Sequence, residues 1–340
     1  MNLPKLVALI QKLPESDKSA LYEAIYTMVK KSSNNINDYI REIRERRFAI
    51  KPHCPYCGSP HIVGFGKYRG RQRYLCKDCG KTYNDLSASP MAGTHYPEKW
   101  PEFIELMLQG AVLRKVAEAL DIHISTAFYW RHKVLNALSA FTPNNLKGIV
   151  ESDEKFFLES NKGRNQVKRY GKRQARQRGG KASMRGISRE QVCIIVAMDR
   201  NGEIVSKVTG RGRVSAKAIA AAIGQYIPED AILCTDAAKN YTLFAKERGL
   251  KHYKVNSSNG RHVIDKVYHI QHVNSYHSRL EEFINYHFKG VATKYLDKYL
   301  GWKRFIELHR GFDKVALKKD LLTLIFKPDC ITTVEMLRAA

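Results

Sequence analysis

Two Cys-x-x-Cys knuckles, Cys54-Pro-Tyr-Cys57 and Cys76-Lys-Asp-Cys79, are the clearest chemistry in this chain. Thiolates two residues apart grip one edge of a tetrahedral ion, and a second pair completes the coordination. Cys57 and Cys76 enclose eighteen residues, a zinc-ribbon spacing. Gly58 and Gly80 follow the knuckles, where the chain must turn with φ > 0. The alternatives are a redox pair or four unrelated core cysteines, and two such units each followed by glycine favour metal. A site closed by four thiolates is structural, so the expectation is one Zn²⁺ held by Cys54, Cys57, Cys76 and Cys79. A second chemistry belongs to Asp153 and Asp236, which fall in two short strand-like segments. If those strands are neighbours, their carboxylates project at one edge. Hard oxygen donors there suit Mg²⁺ or Mn²⁺. A pair of such ions activates water or a 3′-hydroxyl in phosphoryl transfer.

The elements that must position these groups are legible as patterns. Residues 1–48 look helical, with Leu21, Ile25, Met28 and Val29 at helical spacing. The zinc ribbon occupies 50–86, with Phe65, Tyr68, Tyr74 and Tyr83 spaced for short strands, and Ser87–Pro97 reads as a linker. Residues 99–138 carry a helix-turn-helix pattern. One helix stops near Gly110, a second holds Val112, Val116, Ala117 and Leu120, and Asp121-Ile-His123 turns into a third that Ser125 can cap. Asp121 stands where such a turn usually has glycine, and Asp tolerates the left-handed region. On the third helix Thr126, Tyr129, Arg131, His132 and Lys133 form a polar side suited to phosphate and base-edge contacts. From about 148 the order becomes strand, hairpin at Asn201-Gly202, helix, strand, helix, strand, helix. That order predicts an α/β domain over 148–310 with a ribonuclease-H-like mixed sheet, preceded by the ribbon and the helix-turn-helix, with a helical segment over 311–340.

Composition narrows the partners. The chain has 340 residues, 58 Lys plus Arg against 33 Asp plus Glu, and a net charge of +25. Such an excess points to nucleic acid. No apolar run reaches the roughly 18 residues a spanning helix needs, and the start of the chain lacks the order of a signal peptide. Reduced cysteines at 193, 234 and 330 agree with a cytoplasmic protein. The insertion Asn161–Arg189 holds eleven basic residues and no acid, Arg164, Lys168, Arg169, Lys172 and Arg173 among them. It reads as a loose arm that clamps DNA phosphates, with steep salt dependence. Lys294, Lys298, Lys303 and Arg304 are candidates to line the same path, while Tyr295, Tyr299 and Trp302 are expected to pack on the sheet.

The ribbon, Ser125-Thr-Ala-Phe-Tyr-Trp-Arg-His-Lys-Val-Leu, Glu151-Ser-Asp-Glu, Cys234-Thr-Asp-Ala and His272-Val-Asn-Ser-Tyr-His-Ser-Arg-Leu together resemble the zinc-ribbon transposases of bacterial insertion sequences, in the DDE superfamily. The resemblance covers about residues 50–310. It implies an enzyme that binds the inverted-repeat ends of an element, cuts a DNA strand and transfers it to a target, using Mg²⁺ or Mn²⁺ and working as a homodimer or larger assembly. By motif, Asp153 and Asp236 are the first two metal ligands. The third position departs from the usual acid: three residues after Asn274 stands His277, with Glu281 and Glu282 as fallbacks. The expected catalytic set is Asp153, Asp236 and His277, with Asn274 auxiliary. Rival readings are a DNA-binding regulator without catalysis and a metal-dependent nuclease without strand transfer.

Overall fold

The computed structural model describes residues 9–11, 13–33, 38, 42, 53–162, 180–256, 262–326 and 330–339. The chain divides into two compact units, Met1–Leu106 and Met107–Ala340.

In the first unit, helix α1 (Glu15–Ser33) opens with Glu15 and Asp17, which favour the positive end of the helix dipole. Strands β1 (Ile62–Tyr68), β2 (Arg71–Cys76) and β3 (Thr82–Tyr83) form an antiparallel three-stranded sheet. Each Cys-x-x-Cys knuckle closes through its following glycine: Gly58 and Gly80, at φ +73° and +69°, donate their N–H to Cys54 and Cys76 carbonyls. The Ser87–Pro97 stretch is not an open linker. It is a series of turns in which Ala88, Ser89 and Met91 are buried. Helix α2 (Trp100–Leu108) follows.

The second unit contains α3 (Leu113–Ala119) and α4 (Ile124–Leu138), and then a five-stranded mixed sheet. Its strands are β4 (Ile149–Leu158), β5 (Gln191–Asp199), β6 (Ile204–Arg211), β7 (Ile232–Asp236) and β8 (Lys251–Val255), in spatial order β6-β5-β4-β7-β8. The first three strands in sequence pair antiparallel, and β7 and β8 add on parallel. This is the ribonuclease-H-like order. The β5–β6 hairpin turns at Gly202 (φ +91°), and the Asp199 carboxylate accepts the N–H groups of Asn201 and Glu203. Between β6 and β7 lies α5 (Ala216–Ile223), capped by the Ser215 hydroxyl; between β7 and β8 lies α6 (Lys239–Glu247). One sheet face, with Val150, Ile195, Val205 and Leu233, packs against Ile219, Ile223, Tyr241 and Phe244 of these two helices. The opposite face receives α7 (Gln271–Glu281) and α8 (Leu296–Leu308). Helices α9 (Lys314–Phe326) and α10 (Val334–Ala339) pack against α4.

Candidate metal centre and active site

Strand alternation decides which side chains meet. On β4, Glu151, Asp153 and Lys155 share one face, and Val150, Ser152 and Phe156 the other. The parallel β4–β7 ladder pairs Val150 with Leu233 and Glu151 with Cys234. Two residues further along each strand stand Asp153 and Asp236, on the same face. Asp236 is the last residue of β7, and its carboxylate accepts the Ala238 N–H at 3.0 Å, which turns the chain into α6.

A third acid, Glu154, joins the cluster; it stands outside the expected set of Asp153, Asp236 and His277. Oxygens of Asp153, Glu154 and Asp236 all lie within 4.8 Å of one another. Glu154 belongs to the opposite face by alternation. The β7 ladder stops at Glu151–Cys234, however, so β4 has an open edge here around which a long side chain can reach. Burial, with repulsion from Asp236, raises Asp153 to about 6. Burial, with repulsion from Asp153 and Asp236, raises Glu154 to about 7. Crowded carboxylates held above their ordinary range are what a divalent cation relieves. The residues therefore fit the hard cation that the motif implies.

His277 lies beside this cluster, its Nδ1 3.7 Å from Asp153 Oδ2. Burial, and then Lys155, lowers it to about 4, so the imidazole is neutral at physiological pH. Its Nε2 is buried with no hydrogen-bond partner among the described residues. Asn274 is exposed on α7. Of the fallback acids, Glu281 pairs with Lys155 at 2.6 Å, and Glu282 is exposed near His287. Glu154 stands in the Glu151-Ser-Asp-Glu motif, but its sequence position alone does not mark it as a neighbour of Asp236.

The four expected zinc ligands come together. Cys54 and Cys79 sulfurs are 3.6 Å apart, as are those of Cys57 and Cys76, and all four lie within 4.8 Å of one another. Zn–S bonds of 2.3 Å put tetrahedral sulfurs about 3.8 Å apart.

The helix-turn-helix residues are a correction. α3, a turn with Asp121 at φ +46°, and α4 occur as expected, although His123 rather than Ser125 caps α4. Its basic side is turned inward. Arg131, His132 and Lys133 are buried, because α8, α9 and α10 surround the helix. The Arg131 guanidinium donates to the Ala111 carbonyl and sits over the Phe288 and Trp302 rings. The His132 ring lies 4.2 Å from Phe128 and 4.1 Å from Tyr295. Thr126 and Tyr129 are half-buried, and the Tyr129 hydroxyl accepts from Arg338. Lys303 and Arg304 are likewise buried, paired with Glu307 and Glu203. Tyr299 and Trp302 form an aromatic cluster with Phe283 and Phe288, while the Tyr295 ring meets Phe128 and His132. Arg164, Lys168, Arg169, Lys172 and Arg173 lie outside the described residues.

Residues 145–305, which include Asp153, Glu154, Asp236 and His277, match the family model of the ISXO2-like transposase domain. This part of the chain is similar to that transposase domain. A relative described as an uncharacterized protein in transposable element ISH50 of Halobacterium salinarum is 25% identical over 275 residues. That match spans 80% of this chain and 90% of the relative. The structure of a pre-cleavage Mos1 transpososome matches 68% of this chain and 79% of its own at 12% identity. The TM-score of that match is 0.27. Among the described residues, no helix is long and apolar enough to cross a membrane.

Proposed function

We propose that the chain is the transposase of an insertion sequence, binding the inverted-repeat ends of its element and catalysing DNA strand cleavage and strand transfer. The observation that carries this is the convergence of Asp153, Glu154 and Asp236 on one sheet edge of a transposase domain. These carboxylates would hold Mg²⁺ or Mn²⁺, with neutral His277 beside Asp153 as a further nitrogen donor. Such ions, when bound, activate a water or 3′-hydroxyl and stabilise the leaving oxygen.

Duplex DNA is the substrate that the +25 charge favours. The basic insertion, 161–189, grips phosphates next to the first catalytic strand. The zinc ribbon and the outer surface of the helix-turn-helix read the element ends. Two ends must be cut together, so the working complex holds at least two copies. This reading keeps the domain division 50–86, 99–138 and 148–310.

The test is a strand-transfer assay with Mn²⁺ and a duplex carrying the inverted repeat that flanks the coding sequence. Wild type should cut and join. Asp153→Asn and Asp236→Asn should each lose cleavage by at least 10³-fold, as an order of magnitude for disabling metal-assisted hydrolysis, and still bind the duplex. Cleavage without joining would make the chain a nuclease. Binding with neither would make it a regulator.

A further inference from the structure

Three side chains on one face of β4 each reach α7. Glu151 accepts the backbone N–H groups of His272 at 2.8 Å and Val273 at 3.1 Å. Asp153 stands 3.7 Å from His277, and Lys155 bonds Glu281 at 2.6 Å. The rungs fall two residues apart on the strand and four apart on the helix, at 273, 277 and 281. Two strand residues span about 6.8 Å and four helical residues about 6.0 Å. The helix therefore runs alongside β4 in near register, and its outer rungs bracket the middle one.

The first rung is unusual in composition. Glu151 is 1% exposed, and an isolated carboxylate so buried would cost several kcal/mol. Its oxygens instead collect two first-turn N–H groups, the His272 ring at 2.7 Å and Arg200 at 3.1 Å. First-turn N–H groups have no intrahelical acceptor, and the N-cap residue here, Ile270, supplies no side-chain bond. Glu151 thus caps α7 from another element. Arg200 comes from the β5–β6 hairpin and also donates to the Val267 carbonyl at 3.1 Å. Glu151, His269 and His272 are close enough to bracket an ion. That volume is taken, since Arg200 Nη1 lies 2.9 Å from His269 Nε2 and 3.1 Å from His272 Nδ1.

We propose that Glu151, secured by Arg200, is a positioning residue: it caps α7 across the sheet and, with the Lys155–Glu281 pair, sets His277 against Asp153. The proposal rests on reading Asp153 and Asp236 as metal-holding groups. Replacing the carboxylate by an amide leaves the helix cap and a half-buried guanidinium without their anion, so α7 loosens while the sheet stays paired.

Two measurements on the full chain test it: Mn²⁺ binding, followed by the loss of the free-ion paramagnetic resonance signal, and amide exchange. Glu151→Gln should weaken Mn²⁺ binding on the order of 10–100-fold, the usual cost of losing a partner that orients a ligand. Exchange should quicken over 271–281 and stay slow over 191–199; a merely stabilising role would quicken both. His272→Ala, at a half-exposed side chain that folding tolerates, should lower affinity a few-fold, and it decides the matter should the Glu151 variant fail to fold. Unchanged affinity and unchanged α7 exchange in these variants, while Asp153→Asn loses the ion, overturns the positioning role alone. Unchanged binding in Asp153→Asn overturns the metal reading and the positioning role with it.

Discussion

Glu154 shows what a single residue adds beyond its motif. Period-2 alternation assigns it to the α5/α6 face, away from Asp153, yet its carboxylate joins Asp153 and Asp236. It does so because the β7 ladder ends before it. Where a neighbouring strand stops is not written in either strand's own residues. Asp153 and Asp236 were legible because one falls within and the other ends a recognisable strand at the centre of a predictable order. If Glu154 helps hold the cation, Glu154→Gln should raise the Mn²⁺ concentration for half-maximal cleavage on the order of 10–100-fold. A titration of single-turnover cleavage rate against Mn²⁺ measures this.

Helix α4 is the element on which sequence and structure part most sharply. Its length, its turn and the strained Asp121 follow from the pattern. The fate of Arg131, His132 and Lys133 does not, because a basic run reads as a solvated face unless the covering helices are known. Those helices lie as far away as 334–339 and carry no chemistry that marks them. Burial, then the charges of Lys298, Arg131 and Lys294, lowers His132 to about 3. A base with a depressed folded pKa binds its proton in the unfolded chain first. Its contribution is therefore intact above the unfolded value near 6.5 and is lost as pH falls toward the folded one. Its Nδ1 is buried without a hydrogen-bond partner among the described residues, so phenylalanine fits the same aromatic site. Between pH 7 and pH 5 the wild type should lose about 2 kcal/mol more stability than His132→Phe. Urea denaturation of both proteins at the two pH values checks this.

At the scale of the whole molecule, two kinds of candidate metal-holding cluster sit in separate compact units, soft thiolates in Met1–Leu106 and hard carboxylates in Met107–Ala340. The sulfur cluster should carry one Zn²⁺ per chain by elemental analysis. Stripping it with a chelator should speed amide exchange over 53–86 and leave β5 protected. The ribonuclease-H-like sheet was legible because its order of strands and helices is written locally: Asn201-Gly202 marks the hairpin, Ser215 the helix start and Gly249 a helix end. The most direct test of the account is anomalous scattering at the manganese edge from crystals of the full chain grown with Mn²⁺. A peak bounded by Asp153, Glu154 and Asp236, abolished by Asp236→Asn, is the predicted result. Density for all three carboxylates with no manganese between them would contradict it.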